Sequence, residues 1–185
     1  DDYPQAKWFA TGYEIVHPET GRTFSALRGP AQNFQRGILP DYFFVAVCSD
    51  PPVCSSATAV MREAITAIDG FPLGIGSGED LLTWARLAVR FPLAYEARNL
   101  AIFRVSGIHR RADPENRVGH ALELFAQGFP QIPGLSTYLG LWYRMQAVMA
   151  MRYGEAGWAR QRAWLAVRFG PGQLRNLYTL LLALM

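Results

Sequence analysis

The stretch Gly76-Ser77-Gly78-Glu79-Asp80-Leu81-Leu82-Thr83-Trp84-Ala85-Arg86-Leu87 joins a glycine-rich turn to a helix and sets two carboxylates at the junction. Gly74, Gly76 and Gly78 let the backbone turn sharply and approach a ligand closely. Glu79 and Asp80 then fall in the first helical turn, where the backbone dipole favours negative charge. From Leu81 the apolar residues Leu81, Leu82, Ala85, Ala88 and Val89 recur along one helical face, with Arg86 and Arg90 pointing elsewhere. Phe91-Pro92 stops the helix, because the residue before a proline avoids the helical region. On spacing alone the segment reads first as a well-capped surface helix with an acidic first turn.

Working outward, the 185 residues make one domain, or one domain with an appendage. With 50% hydrophobic and 13% aromatic residues the chain can bury a sizeable core, which argues against disorder. A net charge of +3 gives no argument for nucleic acid, and Lys7 is the sole lysine among arginines. Cys48 and Cys54 read as free thiols of a cytoplasmic protein, since no secretory signal opens the chain. No apolar run approaches the ~20 residues that span a bilayer. His17, His109 and His120 are too scattered for a zinc spacing.

In chain order, Trp8 to Val16 is rich in aromatic and β-branched residues and predicts a strand. His17-Pro18-Glu19-Thr20-Gly21 is a turn, and Thr23 to Leu27 completes a hairpin. Gly29 to Gly37 reads as loop or short helix, and Tyr42 to Cys48 as a buried strand or helix. Val53 to Val60 reads as a strand whose small residues, Cys54, Ser55, Ser56 and Ala57, leave room for a ligand cleft or for a packed helix. Arg62 to Ile68 predicts a short helix; Leu93 to Tyr95 and Leu100 to Val105 predict two strands. Ser106 to Arg117 is a basic loop containing His109, Arg110 and Arg111, either solvated or able to hold a phosphate. From Val118 the periodicity turns helical, over Gly119–Gln127, Leu135–Tyr153 and Gly157–Phe169, followed by the apolar stretch Leu174 to Met185. The chain therefore divides into an α/β part, residues 1–117, and a helical tail, residues 118–185. Trp158, Trp164, Leu165 and the leucines of the tail, interleaved with Arg160, Arg162, Arg168 and Arg175, suit either an anionic membrane surface or packing onto a further catalytic half.

Familiar motifs are excluded. Gly74-Ile75-Gly76-Ser77-Gly78 lacks both the preceding strand and the third glycine of a dinucleotide fingerprint, and no P-loop lysine follows. No G-x-S-x-G elbow is present. Adjacent carboxylates diverge by about 100° on a helix, so Glu79 and Asp80 do not flank one glycosidic bond. One carboxylate acting as a base beside a structural neighbour fits better.

The order of segments is more specific than any one of them. Cys54-Ser55-Ser56-Ala57, Arg62-Glu63, Ile68-Asp69-Gly70-Phe71-Pro72, Gly78-Glu79-Asp80, and Trp84 with Arg86-Leu87 together resemble the acceptor-side half of family 2 glycosyltransferases. Tyr3-Pro4-Gln5-Ala6 and Ala10-Thr11-Gly12-Tyr13-Glu14 resemble the segment after that family's metal-binding acidic motif. The likeness covers residues 3 to about 117, with Asp69 standing for the first glycine of the "GGF" turn.

The resemblance implies a partial GT-A layer, an α/β fold, followed by the helical tail. It implies inverting transfer from a nucleotide-sugar donor to a saccharide or lipid-linked acceptor, as in cell-surface polysaccharide assembly. Asp80 matches the base and Glu79 an orienting partner; Ser55, Ser56, Gly78 and Trp84 fall where the acceptor side is built; His109, Arg110 and Arg111 sit where a loop closes over the diphosphate. A divalent metal, Mg or Mn, is expected in the complete enzyme with its ligands mostly outside this chain, because the Asp-x-Asp half is missing here. The chain thus reads as the C-terminal piece of a longer enzyme, placed in the cytoplasm or at the inner membrane face, and inactive by itself. The competing expectation is a non-catalytic glycosyltransferase-like module that uses its tail to bind a membrane or a protein.

Overall fold

The aromatic and β-branched run at the start of the chain forms the central strand β1, Trp8–His17. The computed structural model describes residues 2–75, 77–105 and 115–185, and the chain forms two compact units, Asp1–His109 and Arg110–Met185. It is mixed α/β, with one five-stranded sheet and seven α-helices among the described residues.

In the first unit β1 pairs on one side with β5, Leu93–Arg104, in parallel. On its other side it pairs antiparallel with β2, Gly21–Phe24, over its second half and with β4, Thr58–Val60, over its first. The short edge strand β3, Arg36–Ile38, runs antiparallel to β5. The β1–β5 register slips on both sides of Gly12, so that Thr11 opposes Glu96, Gly12 opposes Asn99 and Tyr13 opposes Ala101. Gly12 is required there. A Cβ would sit 2.6 Å from both the Ala97 carbonyl and Asn99 Oδ1 of the bulged strand.

The helices α1, Tyr42–Cys48, and α3, Glu79–Arg90, supply the core beside Trp8. The Trp8 ring lies 5.5 Å from Tyr42 and 6.1 Å from Trp84, and its Nε1–H donates to the Phe91 carbonyl at 3.0 Å. Neighbouring Phe9 faces the other way and stays largely exposed, as strand alternation demands. Between β4 and α3 lies the short helix α2, Arg62–Ala67.

The second unit is helical: α4, Arg117–Gly128; α5, Leu135–Arg152; α6, Ala156–Phe169; and α7, Leu174–Leu184. Alanines form much of the seam among α5, α6 and α7: Ala147, Ala150, Ala159, Ala163 and Ala183 are buried together. Small side chains let these helices approach closely. A Cβ on Gly140 of α5 would lie 2.9 Å from the Gly170 nitrogen and 3.0 Å from the Ala166 carbonyl. At the start of α4, buried Asn116 donates from Nδ2 to the Tyr143 hydroxyl at 3.2 Å, and that hydroxyl donates to Glu123.

Several sequence expectations need correction. Val53 to Val60 is not a continuous strand: Ser55–Ala57 is a 3-10 turn and only Thr58–Val60 is extended. The Cys54 carbonyl accepts both the Ala57 N–H at 3.0 Å and the Thr58 hydroxyl at 2.7 Å, and these bonds close the turn. The two strands expected at Leu93 to Tyr95 and Leu100 to Val105 are one, because β5 absorbs its polar middle as a bulge. Arg36–Ile38, expected as loop at its start, is strand. On α3 the buried set is Leu82, Thr83, Trp84, Ala85 and Leu87, while Ala88 and Val89 are only half-buried.

Candidate functional site

The turn before α3 ends in a left-handed residue. Gly78 has φ +84°, a conformation costly for any residue with a Cβ, and it caps the helix that opens on Glu79. Glu79 and Asp80 thus occupy the first turn, at the positive end of the helix dipole. Asp80 Oδ1 accepts the Leu81 N–H at 2.8 Å, and the Thr83 hydroxyl donates to the Glu79 carbonyl at 2.8 Å. One carboxylate oxygen of Glu79, Oε2, is buried and has no hydrogen-bond partner among the described residues. A buried carboxylate oxygen without a donor is costly.

Trp84, five residues on, anchors the helix. It is 2% exposed, stacked on Trp8 at 16° and met edge-on by Phe71 at 5.9 Å. Its Nε1–H is also buried without a partner among the described residues. Trp84 therefore packs in the core of the first unit.

Asp80 belongs to a cluster of weakly acidic groups. Burial pushes the Tyr13 phenol well above its ordinary value, with added repulsion from Cys54, Tyr95, Asp50 and Asp80. Burial likewise raises the Cys54 thiol, with Asp80 again adding to the shift. Tyr95 is pushed up to about 12 by burial and then by Cys54, partly offset by a hydrogen bond to Ser25. The Ser25 hydroxyl also accepts the Tyr13 N–H at 3.0 Å, and the Tyr13 hydroxyl donates to the Pro51 carbonyl at 2.6 Å. Tyr13 and Cys54 thus resist ionisation chiefly because they are buried, with Asp80 a small addition for each.

A largely apolar cleft of about 430 Å³ opens on the sheet, with neither Glu79 nor Asp80 in its lining. Phe9 and Thr11 of β1, Ser56 to Ala59, Ala94 to Glu96 of β5, and Leu100 line it, and Arg36 and Tyr3 stand at it too. Arg36 is held by Asp2 at 2.7 Å and lies 5.8 Å from the Tyr3 ring centre. Tyr95 lines the cleft and interacts electrostatically with Tyr13 and Cys54.

The residues singled out from sequence are thus distributed unevenly. Ser56 lines the cleft and Ser55 is exposed in the adjoining turn. Gly78, Glu79 and Asp80 share the helix junction, and Trp84 is core. His109, Arg110 and Arg111 lie outside the described residues. Ser25, Tyr95 and Arg36 were not anticipated, and Tyr13 was noted only as part of the Ala10–Glu14 segment; long-range packing brings them to the sheet, and no local motif gives them a role. Among the described residues no group of three or more His, Cys, Asp or Glu side chains is arranged to hold a metal ion. No described helix is long and apolar enough to cross a membrane. A search of family models, of curated proteins and of solved structures finds no match to this chain.

Proposed function

We propose that this chain is the acceptor-side portion of an inverting family 2 glycosyltransferase with a GT-A-type sheet. The Asp80 carboxylate takes the proton of an acceptor hydroxyl as that oxygen attacks the anomeric carbon of a nucleotide-sugar donor. The new glycosidic C–O bond forms on the face opposite the departing group. The old C–O bond breaks, and the nucleoside diphosphate leaves with its electron pair.

The observation that carries this reading is the junction at Gly78: a left-handed glycine, a helix start, Asp80 in its first turn, and an orphaned oxygen on Glu79. An orphaned acceptor beside a base suits a hydroxyl-rich substrate, whose O–H groups are the donors that Glu79 lacks. The apolar cleft with Phe9, Tyr95 and Ser56 offers a surface for a saccharide or lipid-linked acceptor. The described residues offer no ligand set for the divalent ion implied by the resemblance. His109, Arg110 and Arg111 are proposed to contact the diphosphate.

The test is transfer itself. The natural gene product containing this chain is incubated with a panel of nucleotide-sugars and acceptors, and release of nucleoside diphosphate is followed. Acceptor-dependent release that falls with Glu79→Gln, and falls further with Asp80→Asn, supports the assignment; release indifferent to both removes it. A second reading, a non-catalytic module of the same ancestry, is favoured by the apolar outer face of α7, where Leu174, Leu177 and Leu181 are exposed. Under it no donor is turned over.

A further inference from the structure

The last helix is built inside out. Its buried residues are Asn176, Thr179 and Ala183, whereas Leu174, Leu177, Tyr178 and Leu181 lie on the opposite side and are exposed, Leu181 by 63%. The inner face has a structural reason to be polar. Asn176 Nδ2–H groups donate to the Ala166 and Gly170 carbonyls at 2.9 and 3.0 Å, closing the free end of α6. Thr179 bonds the Arg175 carbonyl at 2.8 Å within its own helix. The outer leucines have no such account within the unit, whose seam is filled by alanines.

The neighbouring helix α6 adds an exposed tryptophan and cations. Trp164 is 55% exposed, and the Arg168 guanidinium lies 5.7 Å from its ring centre. From Ala156 to Met185 the chain contains Arg160, Arg162, Arg168 and Arg175 and not one Asp or Glu. A second copy of the chain is a poor occupant of such a surface, because two faces carrying only positive charge repel each other. An apolar stripe on one helix, with arginine and tryptophan exposed on its neighbour and no carboxylate within either helix, matches instead an interface of acyl chains beneath anionic headgroups.

We infer that α6 and α7 dock in the plane of an anionic membrane surface, with the leucine face of α7 entering the headgroup–acyl boundary. The inference is independent of any catalytic role for Asp80. The full chain is floated with vesicles of equal parts phosphatidylglycerol and phosphatidylcholine, and with phosphatidylcholine alone, at low and high salt. The chain is expected to float with the anionic vesicles at low salt, to float poorly with neutral ones, and to show a blue-shifted tryptophan emission. Leu177→Ser with Leu181→Ser, and separately Arg160→Gln with Arg168→Gln, should each lower the partition coefficient about ten-fold or more. All four positions are exposed, and circular dichroism checks that the helices persist. Four results would overturn the inference: no flotation, equal flotation with neutral vesicles, unchanged flotation of either double variant, or self-association that the leucine changes abolish while lipid has no effect.

Discussion

The indole rings of Trp8 and Trp84 lie stacked, 16° from parallel with centroids 6.1 Å apart, and so tie the central strand to the helix that opens on Glu79 and Asp80. This contact packs the helix against the central strand. Whatever Asp80 does is done from a position that Trp84 holds.

Trp84→Ala should therefore act first on stability. Removing a fully packed indole from between Trp8 and Phe71 is expected to cost about 3–5 kcal/mol. Urea unfolding of the variant measures it. A loss under about 1 kcal/mol would show that the ring does not anchor the helix.

The alkaline limb of stability should carry the signature of Tyr95. Its phenol is buried and pushed from the ordinary 10.0 to about 12. Below pH 10 both folded and unfolded chains keep the proton, and the group adds no pH dependence. Between pH 10 and 12 the unfolded chain ionises first, so stability falls as pH rises, by about 2–3 kcal/mol over that window. Tyr13 is shifted in the same direction. Unfolding free energies of wild type and Tyr95→Phe at pH 9 and pH 11.5 test this: the drop should be smaller in the variant, and equal drops would contradict it.

In the helical unit, Asn176→Ala removes two side-chain hydrogen bonds, leaving the Ala166 and Gly170 carbonyls only the backbone N–H groups of Gly170 and Gln173, and should cost about 1–3 kcal/mol. Gly140→Ala should cost a similar amount for a different reason, since its methyl meets the Gly170 and Ala166 backbone at 2.9–3.0 Å. Thermal midpoints of the two single variants and the double variant are the measurement. The two sites meet on the same carbonyl end of α6, so their effects should fall short of additive.

What the sequence made legible was local. Gly78 before Glu79-Asp80 announces a helix start through its own chemistry, and α3 begins there. The β1 strand is legible because Trp8 to Val16 combines aromatic and β-branched side chains, and the change to helical periodicity marks the second unit. Features that depend on distant partners were hidden. Arg36–Ile38 is a strand only because β5 pairs with it; the Ser55–Ala57 turn, by contrast, is closed locally by two donors to the Cys54 carbonyl, which a run of small residues does not announce. Tyr13 and Tyr95 interact electrostatically because β1 pairs with β5, a long-range contact that no spacing in the chain encodes. Trp84 shows the same limit: a tryptophan one turn into a helix has the same sequence appearance whether it faces a ligand or the core. The roles of Asp80, Glu79, Ser55 and Ser56 rest on the resemblance and on the junction geometry, and they are settled by activity.

The central claim is that Asp80 is a base. The Asp80→Asn change keeps shape and removes basicity. The decisive measurement is sugar transfer and thermal midpoint on one preparation of the natural gene product carrying Asp80→Asn. A base predicts turnover lowered by roughly 10²–10⁴-fold, with donor binding largely kept and the midpoint near wild type. A mere helix-start residue predicts normal transfer with stability lowered by about 1 kcal/mol or less, and that result would contradict the account.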